Sequence, residues 1–123
     1  MKITELVLAL SVCILSIGIL VADVNVTGNW EMTISTPRGE RVRPVEFIQD
    51  GEALIVISEG REGQKLEAKG SVKGNEVEWK MLRETQRGSL EITYEGKVEG
   101  DKMSGTVQFG TRGSGEWSAK RLD

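Results

Sequence analysis

Residues 76–98 read EVEWKMLRETQRGSLEITYEGKV, and this stretch decides the fold class of the chain. In its first half every second residue is apolar, as at Val77 and Trp79, and the residues between them are charged. After a glycine-containing turn at residues 86–88 the alternation resumes at Leu90. A period of two places the apolar side chains on one face of a β-strand, and a short turn permits only antiparallel pairing. The stretch therefore predicts an antiparallel hairpin with one buried face.

The same pattern extends outward in both directions, with a turn signal about every ten residues. It predicts eight strands, at residues 26–35, 40–49, 53–58, 64–72, 76–85, 89–98, 103–109 and 115–121. Because all seven connections are short, we expect an all-β, antiparallel up-and-down meander that closes into a barrel. The inward positions of the alternation are almost wholly apolar.

An internal echo predicts where the barrel closes. Thr27-Gly28-Asn29-Trp30 opens the first strand, and Ser114-Gly115-Glu116-Trp117 opens the last. We expect these two strands to pair, with a Trp from each near the seam. The third strand, residues 53–57, is apolar on both faces, which indicates either a buried strand or an exposed apolar stripe suited to a partner.

The N-terminal segment is different in kind. Residues 6–22 form the apolar run LVLALSVCILSIGILVA. Counted from Ile3, the segment has about twenty residues, which is long enough to span a bilayer as a helix. Lys2 precedes the run and the next basic residue is Arg38, so the positive-inside rule places the N-terminus in the cytoplasm. We predict a transmembrane signal anchor at residues 1–22, a linker at 23–26 and a barrel domain at 27–123.

Two interpretations of that segment stay open. A retained anchor gives a single-pass protein of the bacterial inner membrane, with the bilayer as a partner and the barrel in the periplasm. Ser11, Ser16 and Gly18 would then be candidates for close packing against another helix. Cleavage after Ala22 would give a secreted or periplasmic protein instead, but bulky Leu20 is a poor residue for such a site.

Two sequence stretches carry a family resemblance. They are the Thr27-Gly28-Asn29-Trp30 start and the finish from Met103 (MSGTVQFG) to Gly115-Glu116-Trp117. Together with the eight-strand meander they resemble a bacterial lipocalin/avidin-like domain. The resemblance implies the barrel fold over residues 26–121. It implies no single function, because such barrels serve many roles, and the polar ligand groups of avidin are not matched.

Composition excludes several functional classes. The net charge of −3 disfavours a nucleic-acid partner, which needs a dense basic face. The chain has no histidine, and its one cysteine, Cys13, lies in the apolar run. We therefore expect no catalytic site, no metal site and no cofactor.

Alternate turns of a meander lie at the same end of the barrel. The first, third, fifth and seventh turns contain arginine, whereas the other three contain none. Since the anchor enters at the second end, we predict a membrane-distal rim of partner-binding candidates, Arg38, Arg61, Arg87 and Arg112. The alternative is that these arginines only solubilise exposed turns.

The interior offers a similar choice. The aromatic residues Trp30, Phe47, Trp79, Tyr94, Phe109 and Trp117 would either line an apolar lumen for a small apolar ligand or simply fill a narrow barrel. Our leading hypothesis is a non-catalytic structural accessory subunit that contacts other subunits of a bacterial membrane complex. A photosynthetic reaction-centre–antenna assembly is the preferred candidate, on a loose resemblance to small barrel-bearing subunits of such complexes. The alternatives are a lipocalin-like carrier and a secreted inhibitor or interaction module.

Overall fold

The computed structural model of the protein describes residues 24–122. They form eight antiparallel strands in a closed barrel with the order β1-β2-β3-β4-β5-β6-β7-β8. The strands are β1 (Gly28–Thr36), β2 (Gly39–Asp50), β3 (Ala53–Glu59), β4 (Lys65–Lys73), β5 (Glu76–Thr85), β6 (Gly88–Glu99), β7 (Lys102–Phe109) and β8 (Ser114–Arg121). The predicted fold class is confirmed for the barrel, and each predicted strand differs from the observed one by at most two residues at either end.

The barrel closes where the sequence predicts it. Strands β1 and β8 pair antiparallel, with Ile34 opposite Trp117 and Met32 opposite Ala119. All four of these side chains are buried. Closure removes the two sheet edges that β1 and β8 would otherwise expose to another chain.

The interior is filled by side chains. Five aromatic rings form one connected cluster around Trp79, which contacts Phe47, Tyr94 and Trp117 directly and Trp30 through Phe47. Tyr94 stacks on Trp79 with 4.8 Å between the ring centroids. Trp117 lies 5.1 Å from Trp79, and Phe47 lies 5.3 Å from it. These edge and stacked arrangements are the favoured geometries for aromatic pairs, so the cluster stabilises the barrel beyond the area that it buries.

Glycines in the wall make room for this cluster. Gly96 and Gly105 are paired across β6 and β7. A Cβ atom on Gly96 would lie 2.6 Å from Cζ2 of Trp117, and one on Gly105 would lie 1.8 Å from the carbonyl oxygen of Glu95. The wall therefore lies directly against the Trp117 ring, whose Nε1 donates a hydrogen bond to that same carbonyl oxygen at 3.1 Å.

One end of the barrel is closed by the segment that precedes β1. Val26 is completely buried, and its carbonyl oxygen accepts a hydrogen bond from Nε1 of Trp30 at 2.9 Å. The Gln49 side chain accepts from the Val26 backbone N–H at 2.9 Å and donates to the Val24 carbonyl oxygen at 3.0 Å. Both polar ends of the Gln49 amide are thus used to hold this segment in place.

Arg121 completes the closed end. Its guanidinium donates hydrogen bonds to the carbonyl oxygens of Asn25 and Thr27, at 2.9 and 3.0 Å, and to Asp101 at 2.9 Å. The same group lies 4.6 Å from the centre of the Trp30 ring, a cation–π distance. Residues 24–27 are therefore attached to the barrel by two side chains from two different strands.

The other end is open because two pairs of neighbouring strands separate there. Pairing between β2 and β3 begins only at Val45 and Ser58, although β2 starts six residues earlier, at Gly39. Pairing between β4 and β5 stops at Lys69 and Lys80, although β5 continues to Thr85. The first half of β2 and the β5–β6 hairpin therefore extend beyond their paired neighbours as two arms, with the shorter β3–β4 hairpin between them. On the other side of β2, β1 stays paired with β8 as far as Ser35.

Strand β3 is not buried on both faces. Leu54 and Val56 lie in the core, whereas Ile55 and Ile57 point outward and are half-buried. Ile55 is paired with Ile48 of β2, which is 38% exposed. Of the two predicted alternatives, the structure therefore has the outward-facing apolar stripe.

The predicted transmembrane helix and its packing candidates Ser11, Ser16 and Gly18 lie outside the described residues. Within residues 24–122, no helix has the length and apolar character needed to cross a bilayer.

Candidate functional site

The arginines are concentrated at the open end of the barrel. Arg38, Arg87 and Arg112 are exposed in turns at that end, and the turn Arg61–Gly63 is also there. Because alternate turns of the observed meander lie at the same end, these four positions share one end of the barrel. None of the other three turns contains an arginine.

Three further arginines lie on strands near the same end. Arg41 and Arg43 belong to the upper part of β2, and Arg83 belongs to the upper part of β5. Seven of the eight arginines of the chain are therefore in strands or turns of the open end. The eighth is Arg121, which closes the opposite end.

Arg43 and Arg83 correct the prediction of an almost wholly apolar interior. Arg43 shares its strand face with buried Val45 and Phe47, and Arg83 shares its face with buried Trp79. Side chains two residues apart point to the same side of a strand, so both arginines point inward. Both are half-buried.

Sequence reasoning missed these two residues because an apolar residue precedes each of them, Val42 before Arg43 and Leu82 before Arg83. An apolar residue in a strand is ordinarily assigned to the core, which would turn the arginines outward. In the structure Val42 points outward and is 59% exposed. Continuing the period-two alternation of β2 from Phe47 through Val45 would have assigned Arg43 to the inward face.

Tyr94 lies beneath the two arginines. Its side chain is only 7% exposed and stacks on Trp79. Burial raises the pKa of Tyr94 above its usual value, whereas the positive charges of Arg43 and Arg83 act in the opposite direction. Both guanidinium groups are therefore close enough to influence the phenol, which is neutral at physiological pH.

Apolar side chains form the wall around the arginines. Met81, Leu90 and Phe109 are half-buried and pack against the core, and Leu66 of β4 is also half-buried. Arg83 is paired directly with Leu90 across β5 and β6. The open end therefore combines inward-facing positive charge with accessible apolar surface, and we name Arg43, Arg83, Tyr94, Met81, Leu90 and Phe109 the mouth.

The positive charges of the mouth have no acidic partner among the side chains that the structure describes. Ion pairs in that part of the chain join Lys120 to Glu31 at 3.5 Å and Arg121 to Asp101 at 2.9 Å, both far from the mouth in the fold. The neighbouring carboxylates of Glu40 and Glu84 accept hydrogen bonds from serine hydroxyls of their own hairpins, at 3.2 and 3.1 Å. Carboxylates near the mouth are thus directed to their own hairpins.

The six residues predicted to line an apolar lumen all face the interior. Trp30, Phe47, Trp79, Tyr94 and Trp117 are buried in mutual contact, and Phe109 is half-buried at the mouth. Depressions of about 400, 380 and 560 Å³ lie on the outer wall among outward-facing hydroxyl and charged side chains of β1 and of β4–β8. In residues 24–122 no group of three or more acidic, cysteine or histidine side chains is arranged to hold a metal ion.

Comparisons with protein-family models and with curated proteins find no match for this chain. The closed eight-stranded barrel is consistent with the lipocalin-like architecture that the sequence resembles.

Proposed function

We propose that this protein is a non-catalytic accessory subunit of a bacterial membrane complex, in which the barrel docks through its arginine-rich open end. The N-terminal segment would hold the closed end at the membrane, and the opposite end would contact an acidic surface of another subunit. The observation that carries this proposal is the segregation of seven of the eight arginines to the end opposite the entry of the N-terminal segment.

The closed end supports the orientation. Residues 24–27 continue directly from the N-terminal segment and are held to the barrel by Gln49 and Arg121. The point at which the N-terminal segment joins the barrel is therefore fixed at the closed end.

The residue type supports the nature of the partner. Arginine forms bidentate hydrogen bonds with carboxylates, and it is enriched in protein interfaces relative to lysine. Among the described lysines, Lys69, Lys80 and Lys102 lie on strands of the outer wall or at the closed end, whereas Lys65 begins β4 at the open end. The predominance of arginine over lysine at the open end favours a specific contact over general solubility.

The packed interior favours docking over transport. Five aromatic rings occupy the barrel in direct contact, and a carrier of an apolar ligand would need much of that space. A photosynthetic reaction-centre–antenna assembly remains our preferred candidate for the complex, as a prediction from resemblance alone.

The test is native-gel migration of the full chain from gently solubilised native membranes. We expect the wild-type protein to migrate within a large complex, whose composition then identifies the partner. The triple variant Arg38→Gln, Arg87→Gln, Arg112→Gln is expected to migrate as a small species.

The matched control removes three charges elsewhere, with Lys69→Gln, Lys80→Gln and Lys102→Gln, and is expected to remain in the complex. Migration of the wild-type chain as a small free species would contradict the proposal. So would a control that dissociates as completely as the arginine variant.

A further inference from the structure

We propose that the mouth is a binding site for a small organic anion, in which a carboxylate or phosphate monoester lies between Arg43, Arg83 and Tyr94 and an apolar stem lies against the mouth wall. This site goes beyond the docking role and does not depend on it. Its ligand class follows from three features of the mouth.

The first feature is the pair of inward-facing arginines. Arg43 and Arg83 come from different arms, are both half-buried, and point inward on the strand faces that also carry Phe47 and Trp79. Two partly desolvated like charges repel one another, and no acidic side chain in the described part of the chain neutralises them. An anion between them would relieve both the repulsion and the lost hydration.

The second feature is the hydroxyl group of Tyr94. Tyr94 is only 7% exposed, and its hydroxyl is not among the side-chain groups that bond to a described residue. Since no described buried side-chain oxygen lacks a partner, this hydroxyl reaches the solvent of the mouth. Because burial keeps the pKa of Tyr94 above its usual value, the hydroxyl carries its proton at neutral pH. It is therefore a hydrogen-bond donor for an anion held by the arginines.

The third feature is apolar surface beside the charges. Met81, Leu90 and Phe109 are half-buried on one side of the mouth. Above the last paired residues of β4 and β5, Lys69 and Lys80, these strands separate, which gives the mouth a lateral opening beside Met81. An apolar stem attached to the anionic group would cover these side chains and leave through the opening.

The test measures binding of water-soluble probes to the full 123-residue chain held in lipid nanodiscs, with empty nanodiscs as the blank. The probes are hexanoate, hexyl phosphate, hexan-1-ol and inorganic phosphate. Binding is followed by tryptophan fluorescence, because Tyr94 and Trp117 both contact Trp79. We expect hexanoate or hexyl phosphate to bind at least about ten-fold more tightly than either hexan-1-ol or inorganic phosphate. The tighter of the two six-carbon anions identifies the head group.

Variants separate this site from the rim. The double variant Arg43→Gln, Arg83→Gln is expected to weaken binding of the preferred probe about ten-fold or more, and Tyr94→Phe is expected to weaken it several-fold. The matched control Arg87→Gln, Arg112→Gln removes two exposed charges from the same end and should leave binding unchanged.

Three results would overturn the proposal. They are equal binding of hexan-1-ol and hexanoate, equal binding of inorganic phosphate and the six-carbon anions, and loss of binding in the rim control but not in the Arg43 and Arg83 variant. Because the assay uses the purified chain alone, its failure leaves the docking proposal untouched. Conversely, dissociation of the complex on native gels does not affect this result.

Discussion

Substitution of Gly105 by alanine tests the close contact between strands β6 and β7 of the barrel wall. The added Cβ atom would lie 1.8 Å from the carbonyl oxygen of Glu95 and 2.5 Å from Cα of Gly96. The first distance is little more than half of the 3.4 Å at which ordinary contact begins. Both neighbours are backbone atoms, so no side-chain rotation relieves the clash, and β6 and β7 must move apart. We expect the free energy of unfolding to fall by about 3 kcal/mol, the upper end of the range for overpacking.

The matched control is Gly51→Ala, which adds the same methyl group where no atom lies within 4 Å. Gly51 has a φ of +63°, so its cost is the backbone strain of a left-handed residue, about 1 kcal/mol. Guanidinium unfolding followed by tryptophan fluorescence compares the two variants. If Gly105→Ala loses no more stability than Gly51→Ala, the contact between β6 and β7 is looser than the structure indicates.

Three further predictions address the closed end, the mouth and the core. Arg121→Met keeps an unbranched stem but removes three hydrogen bonds to Asn25, Thr27 and Asp101, and we expect a loss of about 2 kcal/mol in denaturant unfolding; an unchanged midpoint would contradict this role. Tyr94 is the one tyrosine of the chain, so the ultraviolet absorbance of tyrosinate reports its pKa directly. Because the pKa of Tyr94 is raised in the folded state, the barrel loses stability as the pH rises through and beyond the ordinary tyrosine pKa. Removal of a positive charge by Arg43→Gln should raise the pKa of Tyr94 further. A lower pKa in this variant would show that the Arg43 guanidinium lies elsewhere. Trp79→Ala removes the centre of the aromatic cluster and should cost about 4 kcal/mol, with Leu82→Ala on the exposed face as a control that changes little; similar losses in both would contradict a packed interior.

The strand pattern was predictable because it depends on local alternation. Val77, Trp79 and Ile92 are inward in the structure as the period of two predicts. The pairing of the first and last strands was predictable from the shared opening of their sequences, and the structure places Trp117 opposite Ile34 at this seam. In a strand that buries one face, the alternation of its own residues shows which side chains point inward.

The mouth was only partly predictable. The turn arginines were found because the order of turns in a meander assigns each to one end. Arg43 and Arg83 were missed because each follows an exposed apolar residue, Val42 or Leu82. If these apolar residues are assumed to be buried, the arginines are assigned to the outer face. Where strands extend beyond the closed part of the barrel, the core no longer determines which residue type faces inward.

The amino-acid sequence by itself determined the class of fold, the number and limits of the strands, the residues of the core and the grouping of turns at each end. These properties depend on period-two alternation and short turns, which act over a few neighbouring residues. Only the tertiary structure decided that Arg121 and Gln49 close one end, and that Arg43, Arg83 and Tyr94 meet at the other. Arg121 lies 94 residues from its partner Thr27, and the two meet because β1 and β8 pair to close the barrel. The mouth depends instead on where the β2–β3 and β4–β5 pairings stop. The number of residues over which two neighbouring strands stay paired is a property of the whole barrel, and no local pattern encodes it.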